Sequence, residues 1–185
     1  MPVTINGTSG VVTATTFSGS NLLGIDTGKI LQVKQTTKTD VFSGVGTTFA
    51  DITGLTVDIT PSSSSNKILV STSINISSAD NGYLPIRLLR NSTALNLGTS
   101  ATGNQTATTF MGAVPYNSSG EYKLHTLHYQ YLDDAQNTNV HTYKLQISNH
   151  VGSNQNYYLN RPHDNANTSY IARGGSTIIA MEVAA

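Results

Sequence analysis

The sequence predicts an all-β domain: a jelly roll or other β-sandwich of about 8–10 antiparallel strands, preceded by an extended N-terminal arm. Two observations carry that expectation. Ser, Thr, Asn and Gly number 20, 26, 17 and 16 and together make up 79 of the 185 residues. Thr tolerates the pleat of a strand, Asn, Gly and Ser satisfy turns, and the Ala-, Leu-, Glu- and Lys-rich stretches that favour helices are missing. The second observation is spacing: short apolar–polar alternations recur about every 8–15 residues, each bounded by turn-forming residues.

The first 27 residues stand apart, with one charge, Asp26, and apolar groups in short bursts. By itself such a segment cannot bury enough surface to offset its ordering entropy. Val3, Ile5, Val11, Val12, Phe17, Leu22 and Leu23 are nevertheless too many apolar groups for a solvating tail. Residues 1–27 therefore read as an arm that orders against a partner through these seven side chains, and residues 28–185 as the β domain.

Within the domain each strand follows from its own pattern. Lys29–Gln35 sets Ile30 apart from Leu31 and Val33. Thr47–Ile52 and Leu55–Thr60 come next, the latter with Leu55, Val57 and Ile59 on one face. Pro61 and the serines after it make an exposed turn. Ile68, Val70, Thr72, Ile74 and Ile76 then form one buried face of a long strand, expected to adjoin Leu55–Ile59 in the same sheet. Pro85 assigns Tyr83–Asn91 to an edge or a bulge, because proline cannot donate to a ladder. Ala107–Val114 is a shorter strand.

Leu124–Ile147 reads as a hairpin. Leu127, Tyr129 and Tyr131 share a face of its first arm, Tyr143, Leu145 and Ile147 a face of its second, and Asp133 and Asp134 open the turn. The final run puts Thr177, Ile179, Met181 and Val183 in phase and leaves Glu182 on the solvated side. A terminal strand this apolar belongs inside a sheet.

Reactive chemistry is sparse. Charged residues are 11% of the chain and the formal net charge is zero, which gives no electrostatic footprint for nucleic acid. There is no cysteine for a disulfide or a thiolate, no secretory leader is visible, and no run suits membrane insertion. The chain has two glutamates, Glu121 and Glu182, and no motif places a base beside a nucleophile. His125 and His128 fall on opposite faces of a strand, His128 and His141 could meet across the hairpin, and His150 and His163 lie in loop-like sequence, so a zinc site lacks converging ligands. Asp133 and Asp134 are too few for calcium. The glycines of Ala172–Ser176 lack the lysine and helix of a phosphate loop. The reading is a protein without catalytic activity, cofactor or metal.

Two phrases, "GKILQVKQTTKTDVFSGVGTTFADITGLTVDITPSSSSNKILV" and "SYIARGGSTIIAMEVA", resemble a domain of tailed-bacteriophage structural proteins. That domain recurs in tail-fibre and virion-surface proteins of phages of cyanobacteria and other aquatic bacteria. The opening "INGTSGVVTATTFSGSNLLGI" is similar to the N-terminal or linker phrases of such fibres. The resemblance covers the start of the chain, residues 28 to about 90 and the last 17; residues 95–165 are placed by position only. It implies a trimeric jelly-roll head on a virion, made in the host cytoplasm and assembled on the particle exterior.

The chain would then be a homotrimeric capsid decoration (cement) protein or short fibre, tied by its arm to major capsid or tail proteins. Tyr129, Tyr131, Tyr143, Ile179 and Met181 are the expected subunit interface. The alternative is a tail-fibre or spike tip that binds a receptor or host-surface glycan, with Tyr157 and Tyr158 as exposed contacts in an Asn-rich segment. At the level of fold alone, the strand order is similar to the tumour-necrosis-factor-like trimeric jelly roll.

Overall fold

A computed structural model describes residues 30–78, 82–99, 102–113 and 122–185. The arm, with Val3, Ile5, Val11, Val12, Phe17, Leu22 and Leu23, lies outside the described residues.

The alternating runs form strands that pair into two antiparallel sheets. In the first, β4 (Lys67–Ser78) is central. One of its edges is taken by β8 (His125–Asp133), from Ile68 opposite Asp133 to Ile76 opposite His125. The other edge is shared: β11 (Ser176–Val183) pairs with residues 67–73 and β10 (Asn156–Leu159) with residues 76–78. Outside these run β1 (Ile30–Lys38) against β11 and β2 (Phe42–Val45) against β10. β10 and β11 are therefore two lengths of one strand position, as are β1 and β2, and the sheet is four positions wide.

The second sheet is built in the same way. β9 (His141–Ile147) lies between β3 (Ala50–Ile59) and β5 (Tyr83–Arg90). The far edge of β5 is shared by β6 (Thr93–Leu95) and β7 (Phe110–Ala113). Two four-position sheets, with the chain crossing between them at most connections, make a jelly roll. The core is the interleaf of the two inner faces, with Ile68, Ile74 and Ile76 of β4 against Ile59, Leu88 and Leu145 of the second sheet.

Four expectations are corrected by this topology. Leu55–Ile59 and Ile68–Ile76 do not adjoin in one sheet; β3 and β4 face each other across the core. Leu124–Ile147 is not a hairpin, because β8 pairs with β4 while β9 pairs with β3 and β5. Alternation records which face is buried and is silent about which sheet the strand joins. Pro85 lies within a strand paired on both sides, at the point where β9 has ended: the last β9 residue paired with β5 is Ile147, opposite Ile86, and beyond it Ser148 N–H donates to the Pro85 carbonyl at 3.3 Å. The terminal strand is interior, between β1 and β4, but its phase is the reverse of that expected. Ser176, Ile178, Ala180 and Glu182 point inward, and Thr177, Ile179, Met181 and Val183 outward.

The break between the paired half-strands is organised by Asn160, fully buried at φ +63. Its Nδ2 donates to the carbonyls of Lys38 and Asp40, at 2.8 and 2.9 Å, where β1 gives way to β2. Its Oδ1 accepts from Ser176 Oγ at 2.6 Å, where β11 begins. Its backbone N–H donates to Asn75 of β4 at 2.8 Å and its carbonyl accepts from Gly174 at 3.1 Å. One side chain thus satisfies three groups left over where strands stop, those of Lys38 and Ser176 in the interior. Tight packing accompanies it: a Cβ on Gly44 of β2 would sit 2.3 Å from the Tyr157 hydroxyl, so only glycine admits that ring.

Replacing Asn160 by alanine should cost on the order of 3 kcal/mol, through unsatisfied buried groups and the loss of asparagine's tolerance of the left-handed region. Urea unfolding would read this as a lower midpoint, and Asn160→Gly should recover about 1 kcal/mol by relieving the backbone alone.

Candidate functional site

Among the described residues the two buried carboxylates are Asp133 and Glu182, and they share one cross-strand row on the inner face: Gln32, Glu182, Ile68, Asp133. Glu182, expected in solvent, is 1% exposed. Its Oε1 accepts from Ser62 N–H and Asn66 Nδ2, both at 2.6 Å, and from Ser62 Oγ at 2.7 Å; its Oε2 accepts from Gln32 Nε2 at 2.7 Å. Burial raises its pKa, and the hydrogen bonds from Asn66, Ser62 and Gln32 outweigh burial, holding the carboxyl at about 2. The serine turn is therefore a strap fastened over the end of the core rather than a free connection.

Asp133 is held from the opposite sheet. Its Oδ2 accepts from Arg90 Nη1 at 2.7 Å and from the Tyr143 hydroxyl at 2.6 Å. Burial, the bond to Asp133 and its charge push the Tyr143 pKa far up. Asp133 is thus not a turn residue paired with Asp134 but an ionic tie between sheets. Each carboxylate is closed in by protein.

The histidines do not converge. His128 is exposed on the outer face of the first sheet, and His141 is buried in the core beside Tyr143 with both ring nitrogens unpartnered. They stand on different sheets, so the expected approach across a hairpin does not occur. His150 Nδ1 lies 3.1 Å from Thr106 Oγ1, and His163 packs on Tyr158. Among the described residues no three His, Cys, Asp or Glu side chains gather as a metal site would require.

Of the five expected interface residues, the structure brings only Ile179 and Met181 to an open face. Tyr143 is fully buried and cannot meet a partner. Tyr129 and Tyr131 point inward from the edge strand β8 and are half-buried against the core; Tyr129 stacks on Phe110 with ring centroids 4.7 Å apart. Tyr157 and Tyr158, expected to be exposed, are both buried. Tyr157 fills the core against Phe42, and Tyr158 lies on the outer face beneath the Arg161 guanidinium, 3.8 Å from its ring. The Asn-rich context gave them a loop-like signal, whereas they occupy β10, an interior strand.

The two outer sheet faces differ sharply. That of the second sheet is charged and internally paired over β3, β9 and the middle of β5, where Lys144 Nζ meets Asp51 Oδ2 at 2.6 Å, Gln146 donates to Asp51 at 2.8 Å, Thr142 donates to Asp58 at 2.6 Å, and Arg87 covers Phe49; its β5–β7 edge carries exposed Tyr83 and Met111. The outer face of the first sheet instead carries an apolar row across all four strand positions: Val33, Met181, Leu69, Leu132. Val33 is 56% and Leu132 47% exposed. The next row is Gln35, Ile179, Ser71, Gln130, and a shallow depression of about 470 Å³ lies over Ser71, Ser73, His128 and Gln130. Val33, Leu69 and Leu132 were missed by sequence reasoning; the available signal was an apolar residue recurring on the polar phase of three strands.

No family model matches this sequence, and no curated protein matches it. Among solved structures, the chain is similar to the D431N mutant VP2 protein of infectious bursal disease virus in derived T=1 particles, with 15% identity and a TM-score of 0.40 over 94% of this chain. The VP2 subviral particle of the same virus gives 14% identity and a TM-score of 0.39 over 83% of this chain. This chain spans 41% and 37% of the respective VP2 chains.

Glu182→Gln should destabilise the fold by about 2–3 kcal/mol at neutral pH, since an amide cannot accept all of these bonds. The folded carboxyl titrates below its ordinary 4.5, so its contribution is complete above that pH and is lost as pH falls toward about 2. Unfolding free energies measured from pH 7 to pH 2 should therefore fall less steeply in the variant than in the wild type.

Proposed function

We propose that the chain is a structural virion protein of a tailed phage. It is a homotrimeric jelly-roll head that anchors to major capsid or tail proteins through residues 1–27, as a capsid decoration or a short fibre. The observation that carries this reading is the disposition of polar groups. Asp133, Glu182 and Asn160 are spent on fastening strands and sheets, while the open part of the first sheet's outer face is apolar and nearly uncharged. A catalyst would show the reverse, with acids and bases converging on an accessible cleft. The strand-and-turn phrases at both ends of the domain agree with this reading, and extracellular stability without disulfides is what such a head needs. The glycan-binding alternative loses its aromatic contacts with the burial of Tyr157 and Tyr158.

Mass spectrometry and density maps of purified particles should find the protein on the virion exterior; its absence from particles refutes the proposal. Deleting residues 1–27 should leave a folded oligomer by circular dichroism and light scattering that no longer joins particles, and normal incorporation would refute the arm's role.

A further inference from the structure

We infer that the outer face of the first sheet is where copies of this chain pack on one another, with the row Val33, Met181, Leu69, Leu132 at its centre. The inference rests on the reading of the chain as a self-assembling virion protein and identifies the surface that does it. Three properties of the face select a second copy as its occupant.

The first is charge. Among the described residues of that face, the charged or titratable side chains on its open part are Lys67 at one end of β4 and His128 on β8; Tyr158, with Arg161 and His163 over it, lies in the covered part. A face packed on its own copy brings like groups together near the symmetry axis, and a face with charge of one sign repels its copy, so a nearly neutral face suits a homotypic contact. On the second sheet's outer face, by contrast, Asp51, Asp58, Lys144 and Arg87 of β3, β9 and β5 are paired within the subunit, and the exposed apolar groups Tyr83 and Met111 are confined to the β5–β7 edge.

The second property is what the chain covers for itself. At the β10 end of the same face, Arg161 lies over Tyr158, and Ser77 Oγ donates to the Arg161 carbonyl at 2.7 Å, so the loop after β10 roofs that part. At the opposite end, Val183 stands opposite the bulge that presents Ile30 and Leu31, both more than half exposed, and the apolar row follows directly. The chain thus covers Tyr158 at one end, where Val45 of β2 alone is an exposed aliphatic group, and leaves the larger aliphatic end open.

The third is size. With about 4.8 Å between strands and about 6.8 Å between successive same-face residues, four strands and four rows span about 19 Å by 27 Å. That is roughly 500 Å² in projection, of the same order as the area each partner loses in a standard interface.

The test uses the full chain, measured by light scattering and sedimentation over a concentration series. The wild type should be oligomeric and remain so at high salt, since apolar contacts are not screened. Met181→Lys, and separately the double variant Val33→Lys with Leu132→Lys at already exposed positions, should weaken association by about 100-fold or more. Both should keep the wild-type far-UV circular dichroism. Thr56→Lys on the second sheet's outer face should leave association unchanged. A monomeric wild type overturns the inference, including the case in which Val33 and Leu132 are protected from radical labelling because residues 1–29 lie over them. Folded variants that stay oligomeric overturn it equally. A monomer still found in particles would sink this surface while sparing the virion role; an oligomer absent from particles would do the opposite.

Discussion

Asn160 sits where two strand positions of one sheet are each broken in half, and a jelly roll of this pattern depends on such breaks being satisfied. β1 must end and β2 begin without stranding the carbonyls of Lys38 and Asp40, and β10 must leave the sheet so that β11 can return to it sixteen residues later. A buried carbonyl without a donor costs as much as a lost hydrogen bond, so unpatched breaks would offset much of what the flanking ladders contribute. Asparagine suits the place for two reasons: its amide offers donors and an acceptor on one short side chain, and it tolerates the left-handed backbone at φ +63. The loop carrying Arg161 exists because Asn160 makes leaving and returning compatible.

The far end of the sandwich is closed by charge. Glu182 and Asp133 stand in one row with Ile68 between them, and neither faces the other's partners. Glu182 draws its donors from its own sheet and from the serine strap, Asp133 from Arg90 and Tyr143 of the opposite sheet. Aliphatic side chains here would bury as much surface without specifying how the sheets align. A carboxylate that must find both an arginine and a tyrosine across the core admits few registers, and register is what a repeating Ile–Val–Thr pattern specifies least.

Legibility in the sequence followed the same division. Local alternation placed Val57, Ile59 and the even positions of Ile68–Ile76 on buried faces, because a period of two is a property of single strands. It could not say that β3 and β4 lie in different sheets, nor that β8 and β9 do, since partner choice is set by contacts distant along the chain. β11 misled for a further reason. Both of its phases are apolar, Ile178 and Ala180 on one and Ile179, Met181 and Val183 on the other. By pattern the more hydrophobic phase belongs in the core, whereas the inward phase holds Ser176 and Glu182, whose partners Asn160, Ser62 and Asn66 are distant along the chain.

That inversion connects fold to function. A strand whose outward phase is more hydrophobic than its inward phase has two surfaces to bury, and a monomer supplies only one of them. The interior row is small, with Ala180 between Ile178 and a hydrogen-bonded Glu182, while Met181 stands outside between Val33 and Leu69. Edge strands repeat the feature: β1 keeps Gln32 inward on Glu182 and sends Val33 out, and β8 keeps Asp133 inward and sends Leu132 out. In all three strands a polar group has been moved into the core at the same level at which an aliphatic group has been moved to the surface. Exchanging the two would remove exposed apolar area but would strand Ser62 N–H, Asn66, Arg90 and Tyr143 without their acceptors, so the inward polar groups are held in place by the fold itself. The arrangement has a physical advantage when the inward groups fix the alignment of the sheets and the outward groups meet another subunit.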